Sequence, residues 1–185
     1  FLAYNFPLLN LGFKLGPALA AGCSIILKPS EFSPLSAYII GELCDEINFP
    51  KGVISIICGD VQDVGIPLCE SKIPRLITMI GSTETAQKLI GQSSKTSIKR
   101  YSMECGGNAP FIVFEDADMD LALNIGAALK TGNTGQICVA PNRFFVHDSV
   151  IDIFIEGLVN KFKNTVIGFG RENRPDMGPL TNKLS

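Results

Sequence analysis

The sequence lacks the patterns that mark several common kinds of binding site. Its six cysteines include no Cys-x-x-Cys pair, so neither a zinc site nor a compact disulfide framework is indicated. Its 16 lysines and arginines against 18 aspartates and glutamates leave a net charge of −2, which gives no basic surface for nucleic acid or anionic lipid. No uninterrupted apolar run approaches the roughly 20 residues of a membrane span. These absences favour a small-molecule ligand and no resident metal, and the cysteine usage is typical of a reducing cytoplasm.

The usual phosphate-binding fingerprints are also missing. Neither Gly-x-Gly-x-x-Gly nor a Walker sequence occurs. The turn at 81–84 is the remaining candidate, because Ser82 or Thr83 can cap the helix that follows and outward-pointing N–H groups can bind an anion. The alternative interpretation of this turn is an ordinary capped helix that binds no anion.

The composition is that of a core-forming chain. Of its 185 residues, 46% are hydrophobic and 18% are charged, which is less charge than the roughly 25% of an average globular protein. One or two ordinary domains are expected. Low charge, together with the absence of an initiator methionine at Phe1, leads us to expect a segment of a longer chain.

Short apolar runs alternate with segments of helical spacing. We predict strands at 23–27, 53–58, 76–80, 98–103, 110–114 and 143–146, and helices at 9–21, 34–47, 61–70, 82–93, 118–130 and 149–163. This alternation predicts an α/β fold with a parallel sheet, whose ligands bind at the carboxyl edge. The best internal boundary lies near Gly106 and Gly107, which divides the chain into 1–106 and 107–185.

One cysteine lies in an irregular segment. Cys138 belongs to the stretch 133–143, which is too rich in Gly, Asn and Pro for a regular helix and connects a predicted helix to a predicted strand. Connections of this kind often carry chemistry. A buried, inert thiol is the alternative interpretation.

One carboxylate precedes a pair of glycines at a strand end. Gly106 and Gly107 have no side chains, so the backbone can turn there and leave Glu104 facing a cleft. A solvated acid before a glycine turn is the alternative.

Five motifs in one order resemble the signatures of the aldehyde dehydrogenase superfamily. They are Tyr-Asn-Phe-Pro-Leu at 4–8, Leu-Lys-Pro-Ser-Glu at 27–31, Gly-Ser-Thr-Glu at 81–84, Glu-Cys-Gly-Gly-Asn-Ala-Pro at 104–110 and Gly-Gln-Ile-Cys at 135–138. The resemblance covers essentially the whole chain, and the stretch 107–114 is similar to the succinate-semialdehyde branch. It implies part of a Rossmann-like, doubly wound NAD-binding domain at 1–106, followed by the start of an α/β catalytic domain at 107–185.

The resemblance also implies catalytic roles. Cys138 would attack the aldehyde carbonyl, and the Asn5 amide and the Cys138 backbone N–H would stabilise the oxyanion. Glu104 would activate the water that hydrolyses the resulting thioester. The product would be a free carboxylic acid.

Cofactor contacts follow from the same resemblance. Lys28 and Glu31 match residues that contact the adenosine ribose, and Ser82 matches a pyrophosphate contact. The remaining implied cofactor residues are Ser30, Gly65 and Gly81. A carboxylate at Glu31 would repel a 2′-phosphate, so NAD is favoured and NADP is possible. The partners implied are a small aldehyde and further copies of the same chain in a homo-oligomer.

Two other functions remain open from the sequence. Cys138 could be the nucleophile of a hydrolase with His147, the single histidine, as its base. Alternatively, the 185-residue chain is an incomplete and inactive piece of a dehydrogenase.

Overall fold

A computed structural model of the chain describes residues 1–170, 174–183 and 185. The chain divides into two compact units, Phe1–Cys105 and Gly106–Ser185. Each unit has its own parallel strands and its own hydrophobic core. The predicted α/β class with parallel strands is confirmed.

The described residues form six strands and six α-helices. The strands are β1 (Ile25–Leu27), β2 (Ile54–Ile56), β3 (Leu76–Gly81), β4 (Arg100–Cys105), β5 (Pro110–Val113) and β6 (Arg143–Val146). The helices are α1 (Pro7–Ala20), α2 (Leu35–Glu46), α3 (Ile66–Glu70), α4 (Thr83–Ser94), α5 (Met119–Thr131) and α6 (Ile151–Lys163). All six predicted strands and all six predicted helices have a counterpart, and most bounds differ by one to three residues.

Two strand pairs of the first unit are joined through Phe1 and Leu2. β1 pairs with β2 and β3 pairs with β4, both in parallel. The Phe1 amine donates to the Thr78 carbonyl at 2.9 Å, and the Ile80 N–H donates to the Phe1 carbonyl at 3.1 Å, which is the pattern of a parallel ladder. On the other side, the Leu2 N–H donates to the Lys28 carbonyl at 3.0 Å. The order across this part of the sheet is therefore β2, β1, the 1–2 segment, β3, β4.

Proline and glycine determine the two ends of helix α1. It begins at Pro7, two residues before the predicted start, because the fixed φ of proline suits a first helical position and its missing N–H has no partner to lose there. It ends before Gly22, which has a φ of 71° and is followed by a hydrogen bond from the Cys23 N–H to the Ala18 carbonyl at 2.9 Å. The predicted stop at Gly22 is confirmed.

Two predicted elements need correction. The segment 61–70 is not one helix: a π-helical turn, Val61–Gly65, precedes α3. Pro67 lies at the start of α3 and has no N–H to donate to the preceding turn, so a continuous α-helix through it would lose a hydrogen bond. β4 extends to Cys105, so Glu104 lies within the strand rather than after it.

The second unit packs two helices on one parallel strand pair. β5 and β6 are parallel, and the core beneath them contains Val113, Leu123, Phe154 and Leu158. Phe144 adds aromatic contacts, with ring centroids 5.4 Å from Phe111 and 5.6 Å from Phe154. No helix in the described part of the chain is long and apolar enough to cross a membrane.

Candidate active site

The predicted site residues of the first unit lie at or just after the carboxyl ends of its extended segments. Asn5 comes after the 1–2 segment, Lys28 follows β1, and Ser82 follows β3. Glu104 is the next-to-last residue of β4 and pairs in register with Ile80. β1 runs parallel to β2 and β3 runs parallel to β4, so within each pair the carboxyl ends meet at one edge, which is where ligands bind in α/β folds.

Lys28 and Glu31 differ in their exposure to solvent. Lys28 is 8% exposed, which excludes a fully solvated pair, and its Nζ lies 3.8 Å from an Oε of the exposed Glu31. Ser30 lies in the turn between them, and its Oγ accepts a hydrogen bond from the Phe32 N–H at 3.3 Å. The pair therefore presents a carboxylate that can accept hydrogen bonds from hydroxyl groups beside a buried ammonium group.

Ser82 caps α4. Its Oγ accepts a hydrogen bond from the Thr85 N–H at 3.1 Å, while Gly81 ends β3 immediately before it. The uncapped N–H groups of the first turn and the helix dipole favour an anion at this end. Gly65 is buried at the junction between the π-helical turn and α3. A carboxylate for a ribose and a helix N-terminus for a pyrophosphate fit a dinucleotide, so the first unit has residues suited to one.

Asn5 is held by a residue that the sequence analysis missed. The Asn10 Nδ2 donates to the Asn5 Oδ1 at 3.1 Å and to the Ala3 carbonyl at 3.3 Å. Asn10 is 5% exposed, in the first turns of α1. The only signal in the sequence is an amide between apolar residues of a helix, and such a pattern does not identify a partner.

The Cys138 loop has an unusual backbone. Asn133, Thr134 and Gly135 all have positive φ, at 48°, 59° and 73°. A Cβ at Gly135 would lie 3.1 Å from the Lys130 carbonyl oxygen, so the position favours glycine by space as well as by φ. The Thr134 Oγ1 donates to the Gly178 carbonyl at 3.0 Å. The prediction of an irregular connection is confirmed.

Cys138 is exposed, in contrast to the alternative of a buried hydrophobe. A Cβ built on Gly107 would lie 3.8 Å from the Cys138 carbonyl oxygen, so the diglycine segment runs beside the loop. Asn142, further along the same loop, donates its Nδ2 to the Gly107 carbonyl at 3.4 Å. Neither Gly106 nor Gly107 has a left-handed φ; Ala109 does, at 35°. The turn therefore does not depend on the backbone freedom expected of the two glycines.

His147 has local partners. Its Nδ1 lies 2.8 Å from the Ser149 Oγ and 3.9 Å from an Oε of Glu115. Among the described residues, no hydrogen bond joins it to Cys138. These contacts place His147 in the turn before α6 and do not support the pairing that a hydrolase requires.

Comparison with known proteins identifies the family. The profile of the aldehyde dehydrogenase family matches residues 1–185, and the chain belongs to that family. It is 40% identical over 182 residues to the mitochondrial succinate-semialdehyde dehydrogenase of Oryza sativa subsp. japonica. The aligned residues cover 98% of this chain and 34% of that protein. The chain thus spans about a third of the length of this relative.

Two solved structures show the same fold. The crystal structure of an NADP-dependent enzyme of E. coli matches with a TM-score of 0.93 and 42% identity, over 99% of this chain and 38% of that one. Betaine aldehyde dehydrogenase of Staphylococcus aureus, in complex with NAD+, matches with a TM-score of 0.93 and 34% identity, over 99% of this chain and 36% of that one. The family predicted from the five motifs is confirmed.

Proposed function

We propose that the whole protein oxidises an aldehyde to a carboxylic acid, with NAD or NADP as the hydride acceptor and Cys138 as the nucleophile. The observation that carries this proposal is the exposed Cys138, at the end of a left-handed, hydrogen-bonded loop in a member of the aldehyde dehydrogenase family. Residues 1–106 would contribute to the NAD-binding domain and residues 107–185 to the catalytic domain.

The first step is addition of sulfur to the aldehyde. The Cys138 thiolate forms a C–S bond with the carbonyl carbon, and the carbonyl π electrons move to oxygen. The Asn5 amide and the Cys138 backbone N–H donate hydrogen bonds to that oxygen, where charge develops. A preorganised donor stabilises this charge without reorientation of solvent.

The second step is oxidation of the adduct. A bound NAD or NADP would supply the hydride acceptor for this oxidation, and loss of hydride from the former aldehyde carbon would leave a thioester on the Cys138 sulfur. Lys28 and Glu31 would hold the adenosine ribose, and Ser82 would hold the pyrophosphate at the N-terminus of α4. Ser30, Gly65 and Gly81 would complete this site. The Glu31 carboxylate disfavours a 2′-phosphate, so we expect NAD to bind more tightly than NADP.

The third step is hydrolysis. Glu104 accepts a proton from water, the resulting hydroxide attacks the thioester, and the C–S bond breaks to release a carboxylate and restore the thiolate. The overall reaction consumes one aldehyde, one water and one oxidised dinucleotide. It yields one carboxylate, one reduced dinucleotide and two protons. The match of Glu104 to the acid of the Glu-Cys-Gly-Gly motif supports this role.

Within the same proposal, the expected substrate can be narrowed from aldehydes in general to semialdehydes. The rice relative is named for an aldehyde with a carboxylate at its far end, and residues 107–114 resemble that branch. We therefore expect a semialdehyde as the preferred substrate. We also expect a homo-oligomer in the cytoplasm, where a reducing environment keeps Cys138 as a thiol.

The decisive experiment follows reduced dinucleotide by absorbance in the whole protein. Cys138→Ala should abolish its formation. Glu104→Gln should retain a single-turnover burst of about one equivalent per site and lose steady-state turnover, because the thioester forms and is not hydrolysed. A Glu104→Gln variant with unimpaired steady state would contradict the assigned base.

The same assay separates the alternatives. His147→Ala should leave aldehyde oxidation unchanged, whereas a cysteine hydrolase would lose its activity and form no reduced dinucleotide. The 185-residue chain alone tests the remaining alternative. We expect it to bind NAD weakly or not at all, and tight binding would contradict the view that further chain completes the site.

A further inference from the structure

We infer that Asn10 is a positioning residue that orients the Asn5 amide, so that Asn5 presents its N–H, and not its oxygen, to the oxyanion. This inference rests on the proposed function, since it concerns the residue that the proposal assigns to the oxyanion. It assigns a mechanistic role to a buried side chain outside the five motifs.

The hydrogen bonds determine which way both amides point. The Ala3 backbone carbonyl can only accept a hydrogen bond, so the Asn10 side-chain atom 3.3 Å from it is the nitrogen. The same nitrogen lies 3.1 Å from one end of the Asn5 amide, which must therefore be the oxygen. The Asn5 nitrogen is consequently at the opposite end of its amide group.

Burial makes this arrangement stable. Asn10 is 5% exposed, so water does not readily replace its two acceptors, and an unpaired amide at this depth would be costly. Asn10 is also part of α1, where its backbone N–H donates to the Phe6 carbonyl at 2.8 Å. The Asn5 amide is thus held by a side chain on a rigid element, although Asn5 itself precedes the helix.

The orientation matters because the two ends of an amide have opposite polarity. With its nitrogen presented, Asn5 stabilises a developing oxyanion, whereas with its oxygen presented it repels that charge. An amide in a loop can rotate by 180° at little steric cost. A donor that is committed to the Asn5 oxygen removes that freedom.

The test uses variants of the whole protein with opposite electrostatic consequences. Asn10→Asp has nearly the same shape but offers only acceptor atoms, so it should draw the Asn5 nitrogen inward and lower kcat/KM by about 10- to 100-fold. Asn10→Leu removes the donor without favouring the reversed amide, and it should lower kcat/KM only about 2- to 10-fold. The KM for the dinucleotide should not change.

A double-mutant cycle distinguishes orientation from general structural damage. Asn5→Ala should lower kcat by about 100- to 1,000-fold, as expected for removal of one oxyanion donor. In that background, Asn10→Asp and Asn10→Leu should cause no further loss, because no amide remains to orient. If either variant unfolds, Asn10→Ser provides a milder substitution whose side chain is too short to reach Asn5, and it should behave as Asn10→Leu.

The outcomes separate this inference from the proposed function. An Asn5→Ala variant with normal kcat would show that Asn5 does not bind the oxyanion, and it would overturn both. A large loss in Asn5→Ala with a normal Asn10→Asp would overturn the inference alone. So would an equal fold-loss from Asn10→Asp in the presence and in the absence of Asn5, since that result indicates a structural effect.

Discussion

The side-chain carbonyl of Gln136 accepts a hydrogen bond from the backbone N–H of Thr181 at 3.1 Å, across 45 positions of sequence. The Nε2 of the same side chain donates to the Asn133 carbonyl at 3.0 Å. One glutamine therefore joins the 178–181 segment to the left-handed turn that precedes Cys138. Non-glycine residues with such φ values cost about 1–3 kcal/mol each, so the turn persists only where its surroundings hold it.

Gln136→Leu should loosen this turn. Both side-chain hydrogen bonds are lost, and the Cys138 sulfur should spend less time in its reactive position. We expect kcat in the whole protein to fall by about 10-fold, with an unchanged KM for the dinucleotide. Steady-state kinetics measure this, with Gln87→Leu on the exposed face of α4 as the matched control. A normal kcat in Gln136→Leu would show that the turn holds its shape without the glutamine.

Ser82 allows helix capping to be separated from anion binding. Ser82→Ala should lower the free energy of unfolding by about 1 kcal/mol, because the Thr85 N–H loses its acceptor. Ser82→Asp should keep the cap and weaken NAD binding at least about 10-fold by charge repulsion. Calorimetric titration and urea unfolding measure the two effects.

A second capped helix supplies the control for Ser82. The Asp118 Oδ1 accepts a hydrogen bond from the Leu121 N–H at 3.0 Å at the start of α5. Asp118→Ala should therefore lower stability by about 1 kcal/mol and leave NAD affinity unchanged. If Ser82→Asp bound NAD with wild-type affinity, Ser82 would not be a contact of the pyrophosphate.

The cysteines should differ in their reactivity. Cys69 is 1% exposed, and burial raises the pKa of its thiol, so both access and thiolate content are low. Cys138 and Cys23 are exposed. Iodoacetamide at about pH 8 should label both exposed thiols in the folded chain and should label Cys69 only after unfolding. Mass spectrometry of tryptic peptides gives the order in which the cysteines are labelled. Early labelling of Cys69 would contradict the packing around it.

The stability of a polypeptide that begins at Phe1 should depend on pH through its amine. Burial, and secondarily the charges of Lys14 and Lys28, lower the pKa of the Phe1 amine from 8.0 to about 5. Between these values the unfolded chain binds a proton that the folded chain does not, so the free energy of unfolding should rise with pH from 5 to 8. Below about pH 5 the free energy of unfolding has lost the whole contribution of the neutral amine, which is up to about 4 kcal/mol.

N-acetylation is the control for this pH effect. An acetylated Phe1 cannot take up a proton, but its N–H can still donate to the Thr78 carbonyl. Urea unfolding of the two forms should therefore diverge as the pH falls from 8 to 5 and coincide above 8. Parallel curves would show that the amine is solvated in the folded chain.

Gly157 should be intolerant of a methyl group. A Cβ at this position would lie 2.5 Å from a Cδ of Leu123 and 3.3 Å from its Cγ, and Leu123 is only 8% exposed. Gly157→Ala should destabilise the chain by about 1–3 kcal/mol, because α5 and α6 must separate. Gly91→Ala, in open space on α4, should stabilise it by about 0.5–1 kcal/mol. Thermal unfolding compares them, and equal effects would contradict the close packing at Gly157.

Local patterns allowed much of the first unit to be predicted. Apolar periodicity located its strands and helices, and Ser82 and Gly22 marked a helix start and a helix end because capping depends on neighbouring residues alone. The sequence also placed Lys28 and Ser82 after strands. Within each strand pair, the parallel direction then places that residue at the carboxyl edge.

Other features had no local signal. Phe1 and Leu2 join the β1–β2 pair to the β3–β4 pair, yet two residues are too few to show a strand period. The bond from Asn10 to Asn5 depends on the direction in which α1 leaves the turn. Neither could be found by inspection of spacing.

By itself, the sequence determined the order of strands and helices, the family and the identity of Cys138, Glu104 and Asn5 as candidate catalytic residues, because periodicity and motifs are properties of neighbouring residues. Only the tertiary structure decided how those residues are held. The Asn5 amide is oriented by Asn10 on the following helix, and the left-handed turn before Cys138 depends on hydrogen bonds with the 178–181 segment. Such bonds form only when the folded chain brings these groups within about 3 Å.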